Sequence, residues 1–129
     1  MCISPRNAAG YIDLTAHKAL TNIERENRIV YICSPYRGYG NFNAKRARYY
    51  CRFAVNRGVV PIAPHIYFPQ FMSEETEREK AFAINFELMN ICHEMWVFGK
   101  ISEGMAREID MAKRQRMKIR YFTEDAICK

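Results

Sequence analysis

The sequence predicts a layered α/β domain built on a parallel sheet. Short runs such as Ile29–Cys33 and Met95–Gly99 are nearly continuous in their hydrophobicity, as expected for strands that are buried on both faces. Between them lie longer segments whose apolar residues recur at three- and four-residue steps, which is typical of helices with one buried face. Strands that alternate with helices pair in parallel through crossover connections, so this alternation favours the α/β class.

Two regions are predicted. Residues 1–28 form an N-terminal arm with a short helix, and residues 29–129 form the α/β domain. Asp13 or Thr15 is a suitable N-cap for a helix that runs to about Glu26. Because this helix precedes the first strand, it is either an appendage to the core or a dimer contact.

The domain begins with the central strand Ile29–Cys33, followed by a loop, Ser34–Gly40, whose glycines permit unusual backbone angles. Asn41 or Asn43 caps the next helix, which ends at Gly58. The apolar side of this helix consists of Ala44, Ala47, Cys51, Ala54 and Val55.

A second strand is predicted over Val59–Ala63, where Pro61 removes a ladder donor and favours an edge position. Pro64–Met72 is predicted to be a long aromatic loop that covers either a planar ligand or the core of the protein. A capping box at Thr76–Glu79 then opens a helix that reaches about Cys92. The predicted buried face of that helix holds Ala81, Ile84, Leu88 and Ile91.

The remaining elements are a strand over Glu94–Gly99, a helix from Ser102 to about Gln115 and a strand over Met117–Phe122. The predicted fold is therefore a three-layer Rossmann/flavodoxin-like domain with a parallel sheet of four to five strands. Ligands of such sheets bind beyond the carboxyl ends of the strands. The Ser34–Gly40 loop and the turn at Ser102 both follow strands and are expected at that edge.

Composition excludes several classes of protein. The chain is 49% hydrophobic and 26% charged, without an apolar run long enough to cross a bilayer or a recognisable secretion signal. Its five cysteines are odd in number and form no Cys-x-x-Cys pair, which favours reduced thiols in the cytoplasm and no metal site. The net charge of +6 fits an anionic ligand or general solubility; nucleic acid is an unlikely partner because the basic residues are dispersed.

The segment Ile101–Ile109 carries the main candidate site. Ser102 stands at a helix start, where unpaired N–H groups and the helix dipole favour an anion such as phosphate. Glu108 follows one and a half turns later and could face an electron-poor carbon. Arg37 offers a bidentate fork for the same phosphate. Taken singly, these residues also fit plain structural roles as an N-cap, a surface glutamate and a solvated loop arginine.

The pattern Tyr31-x-Cys33-x-x-x-Arg37-Gly38, then His65, then Ser102-x-Gly104-x-x-x-Glu108 resembles the nucleoside 2-deoxyribosyltransferase superfamily. It is most similar to the deoxynucleoside 5′-monophosphate N-glycosidases. The likeness spans roughly Ile29 to Phe122. The Ser-Pro-Tyr loop and the Trp-Val-Phe-Gly strand also resemble a branch found in phages and mobile elements.

The resemblance implies that Glu108 attacks or stabilises C1′ of a deoxyribosyl or ribosyl group while the bond to the base breaks. Tyr31 would position the carboxylate or the sugar. Ser102 would contact a 5′-phosphate, whereas an aspartate there, as in the nucleoside transferases, would repel it. The phosphate and base contacts would come from Ser34, Arg37, Gly38, Gly104 and His65. The resemblance also implies no cofactor and a homodimer or higher homo-oligomer, because family sites are completed by a neighbouring subunit.

Asn85 departs from the pattern, because it stands where the glycosidases have an aspartate that protonates the leaving base. An amide cannot give up a proton at useful pH. A shifted alignment would make Glu87 the acid instead. His93 is a second departure, with Glu94 beside it as a possible substitute for the usual acidic residue. These departures support an alternative in which the protein binds or sequesters a nucleotide, or a nucleotide-derived signal, without cleaving it.

Overall fold

The computed structural model of the chain describes residues 28–35 and 41–127. The helix predicted before the first strand lies outside the described residues. So does most of the predicted Ser34–Gly40 loop, including Arg37 and Gly38.

Four parallel strands form one sheet in the order β2-β1-β3-β4. They are β1 (Ile29–Cys33), β2 (Val60–Ile62), β3 (Glu94–Phe98) and β4 (Lys118–Phe122), and each lies within the range predicted from the sequence. The edge position that Pro61 predicted for β2 is confirmed. Its register partner is Val30 on the central strand β1.

Helices cover both faces of the sheet: α1 (Asn41–Asn56), α2 (Pro64–Tyr67), α3 (Glu74–Asn90) and α4 (Glu103–Arg114). Because successive strand residues point to opposite faces, Val30 and Ile32 pack with α1, whereas Tyr31 and Cys33 pack with Met105 of α4 and with α3. The predicted three-layer, Rossmann-like α/β fold is confirmed, with four strands. The alternation also places Tyr31 on the face of the sheet that α4 covers.

The predicted buried side of α1 is right at Ala47 and Ala54, which are fully buried, and wrong at Val55, which is exposed. Tyr50 is buried instead, and its ring stacks on Phe98 with centroids 4.1 Å apart and planes 11° apart. A stacked aromatic pair buries more apolar area than a valine, which favours the helix side that carries Tyr50 as the buried one.

The prediction of a loop over Pro64–Met72 is wrong, because most of this segment is helical. Pro64 occupies the first position of α2, where its fixed φ suits a helix and its missing N–H is not needed. A 3₁₀ turn over Phe68–Gln70 follows, with Pro69 in its first turn, and the Met72 N–H donates to the Phe68 carbonyl at 2.8 Å. The prolines therefore begin helical turns here and do not interrupt them.

The predicted start and buried face of α3 also need correction. The helix begins at Glu74 with Ser73 as N-cap, before the predicted capping box, and the Glu77 carboxylate accepts from the Ser73 N–H at 3.1 Å. The backbone of Glu77 is non-helical (φ −122°, ψ 19°), so a first turn is joined through a kink to a longer helical segment that starts within the predicted box. Ile84 and Ile91 are exposed, whereas Asn85 and Met89 are buried. Apolar side chains occur on more than one side of this helix, so periodicity alone did not identify the side that meets α4.

The strand order reverses between β1 and β3. From β1 the chain passes to β2 on one side, and then crosses back to β3 on the other side of β1. In open α/β sheets the crevice beyond the carboxyl ends at such a point is the usual ligand site. Ser34 follows β1, and α4 begins soon after β3, so both lie at this crevice.

No helix in the described ranges is long and apolar enough to span a membrane.

Candidate functional site

A cavity of about 270 Å³ lies at the crevice, between α2, α3 and the N-terminal end of α4. Its size is near the lower end of the range for small-molecule sites. Much of its wall is apolar and comes from the aromatic segment after β2, including Phe68 and Met72. The predicted site residues on the wall are Ser34, His65, Asn85, Ser102, Gly104 and Glu108.

Glu108 is held at the wall of this cavity with only 1% of its surface exposed. The Tyr31 hydroxyl donates a hydrogen bond to Glu108 Oε2, and His65 Nε2 lies 3.3 Å from Glu108 Oε1. The carboxylate therefore contacts a group from β1 on one oxygen and a group from α2 on the other. The predicted alternative of a solvent-exposed surface glutamate is wrong.

Tyr31 stays protonated in this environment. Its pKa is raised well above the ordinary value of 10.0, first by burial and then by the charge and hydrogen bond of Glu108. Burial first, and then the charge of Glu108, raise the pKa of the Cys33 thiol well above its ordinary value. A protonated tyrosine can only donate to the carboxylate, so the contact fixes the direction of the hydrogen bond and the position of Glu108 Oε2.

Ser102 is the N-cap of α4, as predicted. Its Oγ accepts from the Met105 N–H at 3.3 Å, and the Met105 sulfur lies 3.5 Å from the Ser102 N. The Ser102 hydroxyl hydrogen remains available to a ligand, because the oxygen is the acceptor in the cap. The N–H groups of Glu103 and Gly104 have no acceptor within the helix, which makes this end of α4 suitable for an anion.

Two buried polar atoms on the cavity wall have no hydrogen-bond partner among the described residues: Ser34 Oγ and Asn85 Oδ1. Ser34 is 1% and Asn85 6% exposed. Buried polar atoms are nearly always satisfied in folded proteins, and an unsatisfied one costs about 1–3 kcal/mol. At a cavity wall, a polar ligand or a bound water can complete the hydrogen bonds of such atoms.

Residues 28–122 match the model of one protein family, described as a domain of unknown function, DUF7768. The match covers more than half of the 129-residue chain. The chain belongs to the DUF7768 family. No curated protein matches the chain.

The DUF7768 match spans all four strands, so it includes every described element of the cavity. The predicted phosphate-binding residues Arg37 and Gly38 fall within the match but outside the described residues. Six of the predicted site residues line the cavity, and Tyr31 is hydrogen-bonded to one of them, Glu108.

Glu87, the predicted alternative to Asn85 as the acid, is exposed on α3 and is not part of the cavity wall. His93 lies before β3, at the opposite end of the sheet, where its Nδ1 accepts from the Ile29 N–H at 2.9 Å. Glu94 bonds to Arg28 at 2.8 Å and to Trp96 at 3.1 Å. Burial opposes ionisation of Glu94, but the hydrogen bonds from Arg28 and Trp96 prevail and lower its pKa. In the DUF7768 domain His93 and Glu94 are therefore structural.

The sequence did not identify Arg78 and Phe82 as residues of the cavity wall. They precede Asn85 by seven and three positions, so all three share one side of α3. This spacing was visible in the sequence, but it became informative only once the buried side of α3 was known. Within the described DUF7768 residues, no group of three or more His, Cys, Asp or Glu side chains could hold a metal ion.

Proposed function

We propose that the protein is an N-glycosidase or deoxyribosyl-transfer enzyme that acts on a nucleoside 5′-monophosphate, with Glu108 at the anomeric carbon. The observation that carries the proposal is the position of Glu108. Its carboxylate is buried, held by Tyr31 and His65, and lines a cavity that also contains the N-terminus of α4. A carboxylate beside an anion-binding helix end suits a substrate that has a phosphate and a sugar.

In the proposed reaction the C1′–N bond breaks, and its electron pair leaves with the base. The positive charge that develops at C1′ is stabilised by the Glu108 carboxylate, either electrostatically or through a covalent ester. Water completes a hydrolysis and a second base completes a transfer, each by attack at C1′. The departing base takes up a proton, which Asn85 cannot supply; water or another group of the cavity wall, such as His65, is required.

The other residues have roles that follow from their contacts. Tyr31, which remains protonated, keeps one oxygen of Glu108 in place. Ser102 and the free N–H groups of α4 are suited to the 5′-phosphate, and Ser34 is suited to the phosphate or the sugar. The apolar wall around Phe68 and Met72 is suited to the flat face of a base.

The test is release of free base from a panel of ribo- and deoxyribonucleoside 5′-monophosphates, measured by chromatography. Glu108→Gln should bind the same nucleotides with nearly unchanged affinity and lose base release by about 100-fold or more, because an amide cannot stabilise the cationic centre. Glu87→Gln is the matched control, since this glutamate is exposed and outside the cavity. It should leave both affinity and rate unchanged. Folded protein that releases no base from any nucleotide contradicts the proposal.

The second candidate is a module that binds or sequesters a nucleotide or nucleotide-derived signal without cleaving it. Asn85 favours it, because a buried amide in the cavity can read hydrogen-bond donors and acceptors on a ligand but cannot donate a proton to a leaving group. Tight binding of a nucleotide that is recovered intact supports this candidate over the enzyme.

The proposed enzyme is a homodimer or higher oligomer, as the sequence resemblance implies. Support comes from three apolar side chains that are at least 39% exposed: Ile84 and Phe86 on α3, and Ile91 at its C-cap. Contiguous apolar patches of more than a few hundred Å² mark interaction sites, so these side chains support a partner at this end of α3 if they form one surface. Light scattering on the purified protein measures the oligomeric state.

A further inference from the structure

One cation on the cavity wall has no part in the chemistry of Glu108. Arg78 follows directly after the kink at Glu77 in α3, with its guanidinium carbon 5.5 Å from the centre of the Phe82 ring. Its Nη2 faces the first turn of α4, because a methyl group added at Gly104 would stand 3.9 Å from it. The guanidinium of Arg78 and the N-terminus of α4 therefore face each other across the space that a side chain at position 104 would fill.

Two carboxylates next to Arg78 on α3 contact other cations. Glu79 is held by both nitrogens of the Arg107 fork, at 2.9 and 3.0 Å, and Glu77 lies 3.9 Å from Lys80. Within the described part of the chain, no carboxylate oxygen comes within 4.0 Å of an Arg78 nitrogen, so its donors are open to a ligand. Contact with the ring of Phe82 limits the conformations of the side chain without occupying those donors.

The charge of Arg78 matters because the same wall carries two carboxylates, Glu103 and Glu108. Both repel an anion. The N-terminus of α4 has an effective charge of only about half a unit, which does not offset them. Arg78 is the one guanidinium on the described wall. At the first turn of α4 it acts together with the helix end against Glu103 alone, which brings the charge there to about +0.5, since Glu108 lies one and a half turns further along the helix.

A second, independent observation indicates that the cavity takes a polar ligand. Ser34 Oγ and Asn85 Oδ1 are buried on the same wall, without partners among residues 28–35 and 41–127. Asn85 lies two helical turns deeper along α3 than Arg78, about 10 Å at 1.5 Å per residue. The cavity therefore has an anion-binding end at Arg78 and Gly104 and a hydrogen-bonding end at Asn85.

We propose that Arg78 is a phosphate-binding residue that selects phosphorylated ligands over their dephosphorylated forms. Its guanidinium would form charge-assisted hydrogen bonds to a terminal phosphate monoester, while the N–H groups of Glu103 and Gly104 bind the same group from α4. The uncharged remainder of the ligand would extend toward Asn85 and Glu108. That this remainder is a nucleoside rests on the proposed function; the phosphate selection by Arg78 does not.

The experiment compares binding of four deoxynucleoside 5′-monophosphates, the four matching nucleosides and inorganic phosphate to the full chain by calorimetry at fixed ionic strength. Arg78→Gln should weaken monophosphate and phosphate binding about 10- to 100-fold, the loss expected for a charge-assisted hydrogen bond, and change nucleoside binding less than about twofold. Arg78→Lys should fall in between, because an ammonium keeps the charge but not the planar fork.

Lys80→Gln is the matched control, since it removes one positive charge from the same helix at a side chain that is 76% exposed. It should leave all affinities unchanged, which separates a specific contact from a change in net charge. The fluorescence of Trp96, buried in the core on the other face of the sheet, checks that each variant is folded.

The result that overturns the inference is phosphate binding that is absent in the wild type or unaffected by Arg78→Gln. An equal loss of nucleoside and nucleotide binding in a folded Arg78 variant also overturns it. The outcome for the proposed reaction is separate. Nucleotide binding that depends on Arg78, without release of free base, supports the phosphate-binding role and contradicts the proposed reaction. Release of base with a KM that Arg78→Gln does not change contradicts the phosphate-binding role alone.

Discussion

Replacing Tyr31 by phenylalanine removes the hydroxyl group that donates a hydrogen bond to Glu108, and no water reaches this buried position to take its place. Tyr31 is 0% exposed, and its hydroxyl donates to Glu108 Oε2. The ring remains and continues to fill its place in the core. Among the described residues, the other polar side chain in contact with the Glu108 carboxylate is His65, which faces the other oxygen. Oε2 therefore loses its donor.

The expected cost follows from the charge and burial of the pair. A hydrogen bond to a charged group contributes about 1.5–3 kcal/mol, and an acceptor left behind in the interior keeps its desolvation penalty. We expect Tyr31→Phe to lower the free energy of unfolding by about 2 kcal/mol. In a Glu108→Gln background the same change removes a neutral hydrogen bond of about 1 kcal/mol. The difference, about 1 kcal/mol, is the coupling between the two side chains.

Urea unfolding followed by tryptophan fluorescence measures these costs. The chain contains one tryptophan, and Trp96 is buried on the face of the sheet opposite to Tyr31. With a slope of about 2 kcal/mol per molar, the expected shift in midpoint is about 1 M. Tyr50→Phe is the control, because its hydroxyl lies in a part-buried site, where it donates to the Glu124 carbonyl at 2.9 Å and accepts from Arg46. Water can replace these partners there, so the variant should lose only about 1 kcal/mol.

A Tyr31→Phe variant that unfolds within about 0.3 M urea of the wild type at an unchanged slope would contradict this expectation. So would a substitution that costs the same free energy of unfolding in the presence and absence of the Glu108 charge. Either result would mean that the tyrosine does not hold the carboxylate.

Two more outcomes are expected. Gly104→Ala should stabilise the domain by about 0.5 kcal/mol in the same urea titration, because alanine favours the helix and its methyl group meets nothing closer than 3.9 Å. The methyl group fills the space before Arg78, so monophosphate binding measured by calorimetry should weaken; unchanged affinity would argue against a phosphate there. Alkaline pH should destabilise the protein, because burial and then the Glu108 charge raise the pKa values of Tyr31 and Cys33 in the folded state. The folded chain then keeps protons that the unfolded chain releases, so this contribution to stability is complete below the ordinary values of 9.0 and 10.0 and is lost as pH rises toward the folded values. Urea midpoints across this range measure the loss, which should be smaller in Tyr31→Phe; a flat profile would contradict it.

Burial explains why Glu108 is the more informative of the two acidic residues in α4 that line the cavity. Glu103 stands in the first turn and is exposed, where a carboxylate is common because it interacts with the helix dipole. Glu108 is buried one and a half turns later, where an ion without partners would be costly. The hydrogen bond from Tyr31 offsets part of that cost, and His65 lies 3.3 Å from the other carboxylate oxygen, at the cavity.

Local signals in the sequence were sufficient for the strands, the edge position of β2 and the N-cap of α4. Each of these depends on a few adjacent residues: the β-branched run Ile29–Cys33, the missing N–H of Pro61 and the hydroxyl of Ser102. The same holds for the crevice, because alternating strands and helices bring Ser34 and Ser102 to one edge of the sheet whatever the side chains between them are.

The tertiary structure alone decided which side of α3 faces the cavity, and with it the positions of Arg78 and Asn85. α3 has apolar side chains on more than one side, so its orientation depends on the surfaces that pack against it. Those surfaces come from parts of the chain that are distant in sequence. The contact of His65 with Glu108 also depends on tertiary structure, because His65 lies in a helical turn of a segment for which the sequence predicted a loop. Short-range chemistry thus determined the elements and their order, and long-range packing determined which side chains share the cavity.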